Sequence, residues 1–352
     1  MNILFDINHP AHVHLFRNAI KELEKRGDRI IIVARDKDVT VRLLDYYGFR
    51  YHLLSKASKG LVQLALELLI RQIKLFPILL KNHINLCVSV TGATCVHIAR
   101  FLKIPCLVFY DTEHAKIQNT LTIPFATQYI TPEYHFQRLG KNHITYKGLH
   151  ELAYLHPNYF QPDPSIYNQL KIRRDENFVI IRFVSWAAAH DVRQSGISLE
   201  LKRELIHLLL PFAHVFIVSE APLDKEFEPY RLTLPPEKIH DALNFAIMYI
   251  GEGGKMALEA AVLGTPSVFV NSLTAGVLQR LEQDYDLLYN FLPNQTQEIL
   301  KRIESLLKQP NLKGTWQIKR QKFLGDHIDL TKWMVKKILE FDPNVIGAPR
   351  RL

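Results

Sequence analysis

Met248-Tyr-Ile-Gly-Glu-Gly-Gly-Lys-Met-Ala-Leu-Glu-Ala-Ala-Val-Leu-Gly-Thr-Pro-Ser-Val-Phe-Val-Asn271 is the stretch that decides how the chain reads. An apolar run ends at Gly251, a glycine turn follows, and a helical segment stops at Gly264-Thr265-Pro266 before a second apolar run. Gly264 suits a left-handed helix end, and Pro266 prevents the helix from continuing. Gly251, Gly253 and Gly254 leave the backbone open to close approach, and the helix behind them offers unpaired N–H groups and a positive dipole end. A phosphate or diphosphate fits there. Glu252 and Lys255 flank the turn, and Glu259 lies further along the helix, where a carboxylate accepts hydrogen bonds from a ribose. The pattern is neither G-x-G-x-x-G nor G-x-x-x-x-G-K-[ST], so spacing alone leaves a second reading open, a tight turn that packs helix on sheet.

Outward from this motif the same strand–turn–helix rhythm recurs in both directions, which predicts α/β domains with parallel sheets. Ile3–Ile7 reads as a first strand, followed by the polar run Asn8-His-Pro-Ala-His-Val-His14 as a loop and a helix from Leu15 to Arg26. Strands are expected at 28–34, 51–54, 85–90, 104–110, 128–131 and 143–148. Ligands of parallel sheets bind beyond the carboxyl ends of the strands. Two polar clusters fall there: His9, His12 and His14 after the first strand, and Asp111-Thr-Glu-His114 after the fifth. A histidine serves as a general base near neutral pH, and a carboxylate beside one makes a proton-transfer pair. His14, His12, Glu113 and His114 are therefore the candidate catalytic residues, helix capping and packing being the plainer alternative for each.

His156 to Pro164 holds three prolines and no apolar period, and reads as an interdomain linker. The expected division is residues 1–155, a linker at 156–166, a second domain at 167–328, and a terminal helix and tail at 329–352. In the second domain a strand at 178–184 leads into Ser185-Trp-Ala-Ala-Ala-His-Asp-Val-Arg193. Ser185, His190 and Arg193 are candidates for touching a diphosphate, arginine being suited to bidentate contact. Leu61 to Lys81 is the most hydrophobic helical stretch, with Pro77 expected to kink or split it. It reads either as a helix packed on the sheet or as a face that docks on an anionic membrane.

Composition excludes several classes. With 352 residues, 47% hydrophobic and 22% charged, the chain is long enough for two cores. Three cysteines, Cys87, Cys95 and Cys106, lack metal-ligand spacing, which argues for a reducing compartment and against a disulfide framework or a zinc site. No uninterrupted apolar run of 18 residues is present, and Asp6 comes too early for a signal peptide, so a cytoplasmic protein is expected, with the inner face of the membrane as its one peripheral contact. The net charge of +9 favours an anionic partner. No zinc finger, aromatic RNA-binding motif or basic arm singles out nucleic acid. Oligomeric state is not readable.

Taken together, Gly253-Gly254, Glu259 five residues before Gly264, and the Ala-Ala-Val-Leu-Gly-Thr-Pro run resemble the donor-binding segment of GT-B glycosyltransferases. The segment is similar to that of the lipid II-forming N-acetylglucosaminyltransferase and of the non-hydrolysing UDP-N-acetylglucosamine 2-epimerases. More closely, the chain resembles a functionally uncharacterised family of bacterial and archaeal GT-B-like proteins of about this length. The matching residues are Asp6-Ile-x-His-Pro-x-His-Val-His14, Asp111-Thr-Glu-His114, Ser185-Trp-x-Ala-x-His190 and Gly251-Glu-Gly-Gly254 through Pro266. The resemblance implies two Rossmann-like domains facing a cleft, with a last helix crossing back to the first domain. It implies metal-independent transfer of a sugar from a nucleoside-diphosphate sugar, a UDP-sugar foremost, to a hydroxyl of a glycan or lipid-linked acceptor, in surface polysaccharide or glycolipid synthesis. No resident cofactor is implied. Epimerisation ranks second, because the epimerases carry Gly-Asp-Thr where this chain has Gly92-Ala93-Thr94. A catalytically silent nucleotide-sugar-binding protein is the third reading.

Overall fold

The computed structural model describes residues 1–111, 116–135, 140–184, 196–219, 222–273 and 275–342. The chain forms two compact units, Met1–Tyr159 together with the stretch from His327 onward, and Phe160–Asp326. The first crossing between units falls in the proline-rich segment.

Unit 1 is built on a parallel sheet of seven strands: β1 (Asn2–Ile7), β2 (Arg29–Asp36), β3 (His52–Lys56), β4 (Leu86–Val90), β5 (Cys106–Phe109), β6 (Gln128–Pro132) and β7 (His143–Tyr146). Their order is β3-β2-β1-β4-β5-β6-β7, so successive strands run outward in opposite directions from the junction of β1 and β4. Alternation along β1 sends Phe5 against Phe16 of the Pro10–Lys25 helix, ring centroids 5.3 Å apart. Leu4 goes to the other face, into a core with Val33, Cys87, Val108, Leu75 and Leu79. Asp6 lies on that second face too.

Two expectations change here. The first helix starts at Pro10 rather than Leu15, because His9 Nδ1 caps it by accepting from the Ala11 amide at 3.2 Å and Pro10 presets the first turn. His12 and His14 are therefore helical and not in a loop. Of the kink or split expected at Pro77, the split does not occur: Leu61–Lys81 is one helix. The carbonyl that Pro77 leaves without a helical donor is that of Ile73, a residue on the exposed face of the helix, 63% exposed.

The chain returns to unit 1 after unit 2. Asp329 caps the Leu330–Leu339 helix, whose Thr331 hydroxyl donates to the Ala153 carbonyl at 2.8 Å. Asn18 reaches the same carbonyl at 2.8 Å, which ties the first and last helices to the short Leu152–Leu155 helix.

Unit 2 holds five parallel strands: β8 (Phe178–Phe183), β9 (His214–Ser219), β10 (Met248–Gly251), β11 (Ser267–Val270) and β12 (Leu288–Phe291), ordered β12-β11-β10-β8-β9. Its reversal point lies between β8 and β10. A helix absent from the sequence expectations, Leu312–Asp326, buries Trp316 and Phe323 and uses its polar side chains as a cap. Arg320 donates to the Val262 carbonyl (2.8 Å), and Gln317 to those of Leu263 (3.1 Å) and Gly264 (3.3 Å). These carbonyls end the Gly254–Val262 helix, where cations are favoured. Gly264 has φ +73, and a Cβ there would stand 2.6 Å from the Gln317 amide nitrogen. Burial pushes the pKa of Lys313, which donates to Thr265 Oγ1 and the Asn244 carbonyl, down to about 7.

Candidate functional site

Each sheet has one point where neighbouring strands lead off in opposite directions, and open α/β sheets bind ligands at the carboxyl ends of the strands there. In unit 2 that point is framed by Arg182 of β8 and the turn Gly251–Gly254 after β10. Gly253 caps the following helix with no side-chain acceptor of its own. The room left by the glycines is filled by the protein. A Cβ at Gly251 would stand 2.8 Å from the Arg182 carbonyl oxygen, and one at Gly253 would stand 2.7 Å from Arg182 Nε. Arg182 thus lies along the turn, its guanidinium beside the helix start. Sequence reasoning passed over it, since one arginine in the apolar run Phe-Val-Ile-Ile-Arg-Phe carries no local signal.

Glu252 plays a different part from the ligand contact expected of it. It is 2% exposed, and its carboxylate accepts from the backbone amides of Val184 (2.7 Å) and Ile197 (2.6 Å). One side chain therefore fastens both stems of the 185–195 segment. Ser185, His190 and Arg193, the expected diphosphate contacts, lie in that segment and outside the described residues. Asn271, at the end of β11, donates to the Glu252 carbonyl at 2.9 Å and steadies the turn from the other side. Lys255 occupies the first turn of the helix, partly buried. Glu259 is buried, with Oε1 3.2 Å from Nε2 of His240, itself buried on the Ile239–Phe245 helix.

In unit 1 the equivalent point lies between β1 and β4. Here Arg71 donates through Nη1 to Asn8 Oδ1 (2.6 Å) and Thr94 Oγ1 (2.9 Å). Asp6 is fully buried beside them, and neither carboxyl oxygen makes a hydrogen bond. Burial pushes its pKa up to about 6 against the pull of Arg71 and smaller effects of Asn8 and Thr94. Behind this group Arg35 holds Glu67 in a two-pronged pair (2.6 and 2.7 Å), joined by the Ser55 hydroxyl and the Ser58 amide. Burial opposes ionisation of Glu67, but these four donors outweigh it and hold the pKa down to about 2.

Of the three histidines of the amino-terminal motif, His9 and His12 lie together, ring centroids 5.9 Å apart, while His14 packs against Tyr47 and Tyr154. His9 is the helix cap, and Nδ1 of His12 accepts from the Asn8 amide at 3.2 Å. His14 stacks on Tyr154 (centroids 5.3 Å apart), and Arg17 Nη1 stands 3.4 Å from its Nδ1. Arg17 also hydrogen-bonds the Tyr47 hydroxyl and lies over that ring. In each histidine Nδ1 is the acceptor, so in the neutral ring the proton sits on Nε2, the wrong tautomer for a base acting through that nitrogen. Glu113 and His114 lie outside the described residues. Beside them Asp111 Oδ2 is 2.9 Å from Nδ1 of His150. This carboxylate holds the proton on Nδ1 and leaves Nε2 with its lone pair; Nε2 is buried and makes no hydrogen bond. Of His9, His12, His14 and His150, the last has the orientation of a base. No sequence signal could pair residues 39 positions apart.

A recess of about 490 Å³ lined by Glu176, Phe212, His214 and Tyr230 lies at the amino-terminal ends of β8 and β9, away from both points.

A family described as protein of unknown function, DUF354, matches residues 1–341. The chain belongs to that family. An uncharacterised protein of Methanocaldococcus jannaschii is 25% identical over 282 residues, 76% of this chain and 81% of the relative. Among solved structures, the UDP-GlcNAc 2-epimerase of Neisseria meningitidis bound to UDP-GlcNAc aligns with a TM-score of 0.65 at 12% identity, over 97% of this chain and 100% of that one. The glycotransferase of kitacinnamycin aligns with a TM-score of 0.60 at 11% identity, over 97% and 99%. The fold of the family is thus GT-B, two Rossmann-like parallel-sheet units with a terminal helix returned to the first.

Proposed function

We propose that the protein binds a nucleoside-diphosphate sugar through unit 2 and transfers the sugar to an acceptor hydroxyl. The observation that carries this reading is Arg182 lying along the glycine turn that opens the Gly254–Val262 helix, at the reversal point of the sheet. Backbone N–H groups at a helix start and a guanidinium beside them suit a diphosphate, and they meet its growing charge as the sugar–oxygen bond breaks. Lys255 and Arg193 add to that charge stabilisation. Glu259, its orientation held by His240, accepts from the ribose hydroxyls.

The test is titration with UDP, GDP and their sugars, followed by thermal shift and calorimetry. UDP or a UDP-sugar is expected to raise Tm. Arg182→Ala is expected to weaken binding by roughly 10- to 100-fold, the range for losing a charge-assisted hydrogen bond. No stabilisation by any nucleoside diphosphate, or equal binding by the variant, overturns the reading.

A second reading, 2-epimerisation, is favoured by one observation: the segment Gly92–Thr94 lacks an acid, but buried Asp6 stands beside Thr94 and supplies one. Interconversion of UDP-GlcNAc and UDP-ManNAc without an acceptor selects it. Binding with no release of nucleotide under any acceptor leaves the catalytically silent reading.

A further inference from the structure

The Leu61–Lys81 helix carries its polarity the wrong way round for a surface helix. Its inward face bears Glu67 and Arg71, both under 10% exposed and tied to Arg35, Asn8 and Thr94, with Leu75 and Leu79 in the core. The outward face is apolar: Leu61 is 80% exposed, Ile73 63% and Leu66 56%. Leu79 shares a core with Val96 and Ala99 of the neighbouring Val96–Phe101 helix, and Phe101 on that helix is 77% exposed. A soluble surface seldom leaves so much contiguous apolar area uncovered.

Charge says what covers it. From Arg50 to Lys103 the sequence has eight lysines and arginines and a single acid. That acid is Glu67, buried and already paired with Arg35. Lys59 precedes the helix and Lys81 closes it, both exposed, so the apolar face is bracketed by cations with no exposed acid in the stretch. A second copy of the chain would bring the same cations against themselves. A bilayer with anionic headgroups accepts both features, the leucines below its surface and the lysines at it. No helix among the described residues is long and apolar enough to cross a membrane, and the buried ion pairs fix the helix to the sheet, so it lies in the surface plane.

We propose that the outward face of the Leu61–Lys81 helix docks unit 1 on a bilayer containing anionic phospholipid. The inference does not depend on the nucleotide-sugar reading. The experiment is flotation of the full chain with vesicles of phosphatidylcholine alone, and with vesicles in which phosphatidylglycerol replaces about a third of it. The wild type is expected to float with the anionic vesicles, and less as salt rises. Leu66→Glu/Ile73→Glu is expected to lose at least about ten-fold in partitioning, with Tm and far-ultraviolet circular dichroism unchanged because both side chains are exposed. Lys59→Gln/Lys81→Gln, which leaves the apolar face intact, is expected to lose several-fold and most of the salt dependence. Failure of the wild type to float, or equal flotation by both double variants, overturns the proposal. So does a dimer in light scattering that dissociates on Ile73→Glu, which would make the face a contact between copies.

Discussion

Where β8 and β10 part, unit 2 has a turn of three glycines, Gly251, Gly253 and Gly254, against which the Tyr249 hydroxyl and the Arg182 side chain pack at a helix start. Where β1 and β4 part, unit 1 fills the same topological place with Asp6, Asn8, Thr94 and Arg71. The carboxylates differ in the same way. Glu252 accepts from the two backbone amides that flank residues 185–195, whereas Asp6 is buried with no hydrogen bond and has its pKa pushed up to about 6. A mouth lined by N–H groups and a guanidinium selects anions by charge. One lined by polar side chains around a carboxyl whose pKa is raised to about 6 suits hydroxyls and proton exchange. The fold is duplicated; the chemistry of its two reversal points is not.

Three substitutions test this contrast. The largest effect is expected from Glu67→Ala, which strips the partner from Arg35 and leaves a poorly exposed cation; the loss should be about 3–5 kcal/mol of stability, read by thermal unfolding. The sign with pH follows: Glu67 is held low, so its stabilisation is full above its unfolded pKa and fades as the pH falls from the mid-4s towards 2. A wild type and variant that converge under acid bear this out, and a constant gap refutes it.

Glu252→Ala should cost less, about 2–4 kcal/mol, because the two released amides reach water when the 185–195 stems open. Its specific mark is in hydrogen exchange, faster at Val184 and Ile197 by at least about ten-fold. Unchanged exchange there would make Glu252 something other than a fastening.

Asp6→Asn is the smallest and has the opposite sign. A carboxyl whose folded pKa is raised to about 6 costs stability above that pH, and the cost disappears as protons return below it. The variant should be about 1–3 kcal/mol more stable than wild type at pH 8, with the gap closing towards pH 4, and under the epimerisation reading it should lose interconversion of the two UDP-sugars. A stabilised variant with full activity would show Asp6 to be a buried residue without a chemical role.

Much of the architecture was legible in the sequence, because parallel strands buried on both faces write themselves as short apolar runs and Gly264-Thr265-Pro266 ends a helix by local rules. The Leu312–Asp326 helix escaped notice because it docks mainly by polar side chains reaching carbonyls, which leaves little apolar period. For Leu61–Lys81 the period was visible but not which side faced inward, since that depends on Arg35 and Asn8, far away in the chain. The site was legible as places and illegible as pairs. Glu252 with Val184 spans 68 positions, and Asp6, Arg71 and Thr94 meet only through the sheet. His14 stood out because three histidines lay close together, whereas His150, alone in its segment, did not.

Unit 1 is interrupted in sequence and unit 2 is not. During synthesis the segment 160–326 emerges whole and is able to fold as soon as it clears the ribosome. Until Thr331 and Met334 arrive, the sides of the Pro10–Lys25 and Leu152–Leu155 helices that the last helix covers stay exposed, and Ala153 has only its bond from Asn18. A chain cut before Thr331 would leave that face of the first-made unit bare, so the two ends of unit 1 depend on each other for burial.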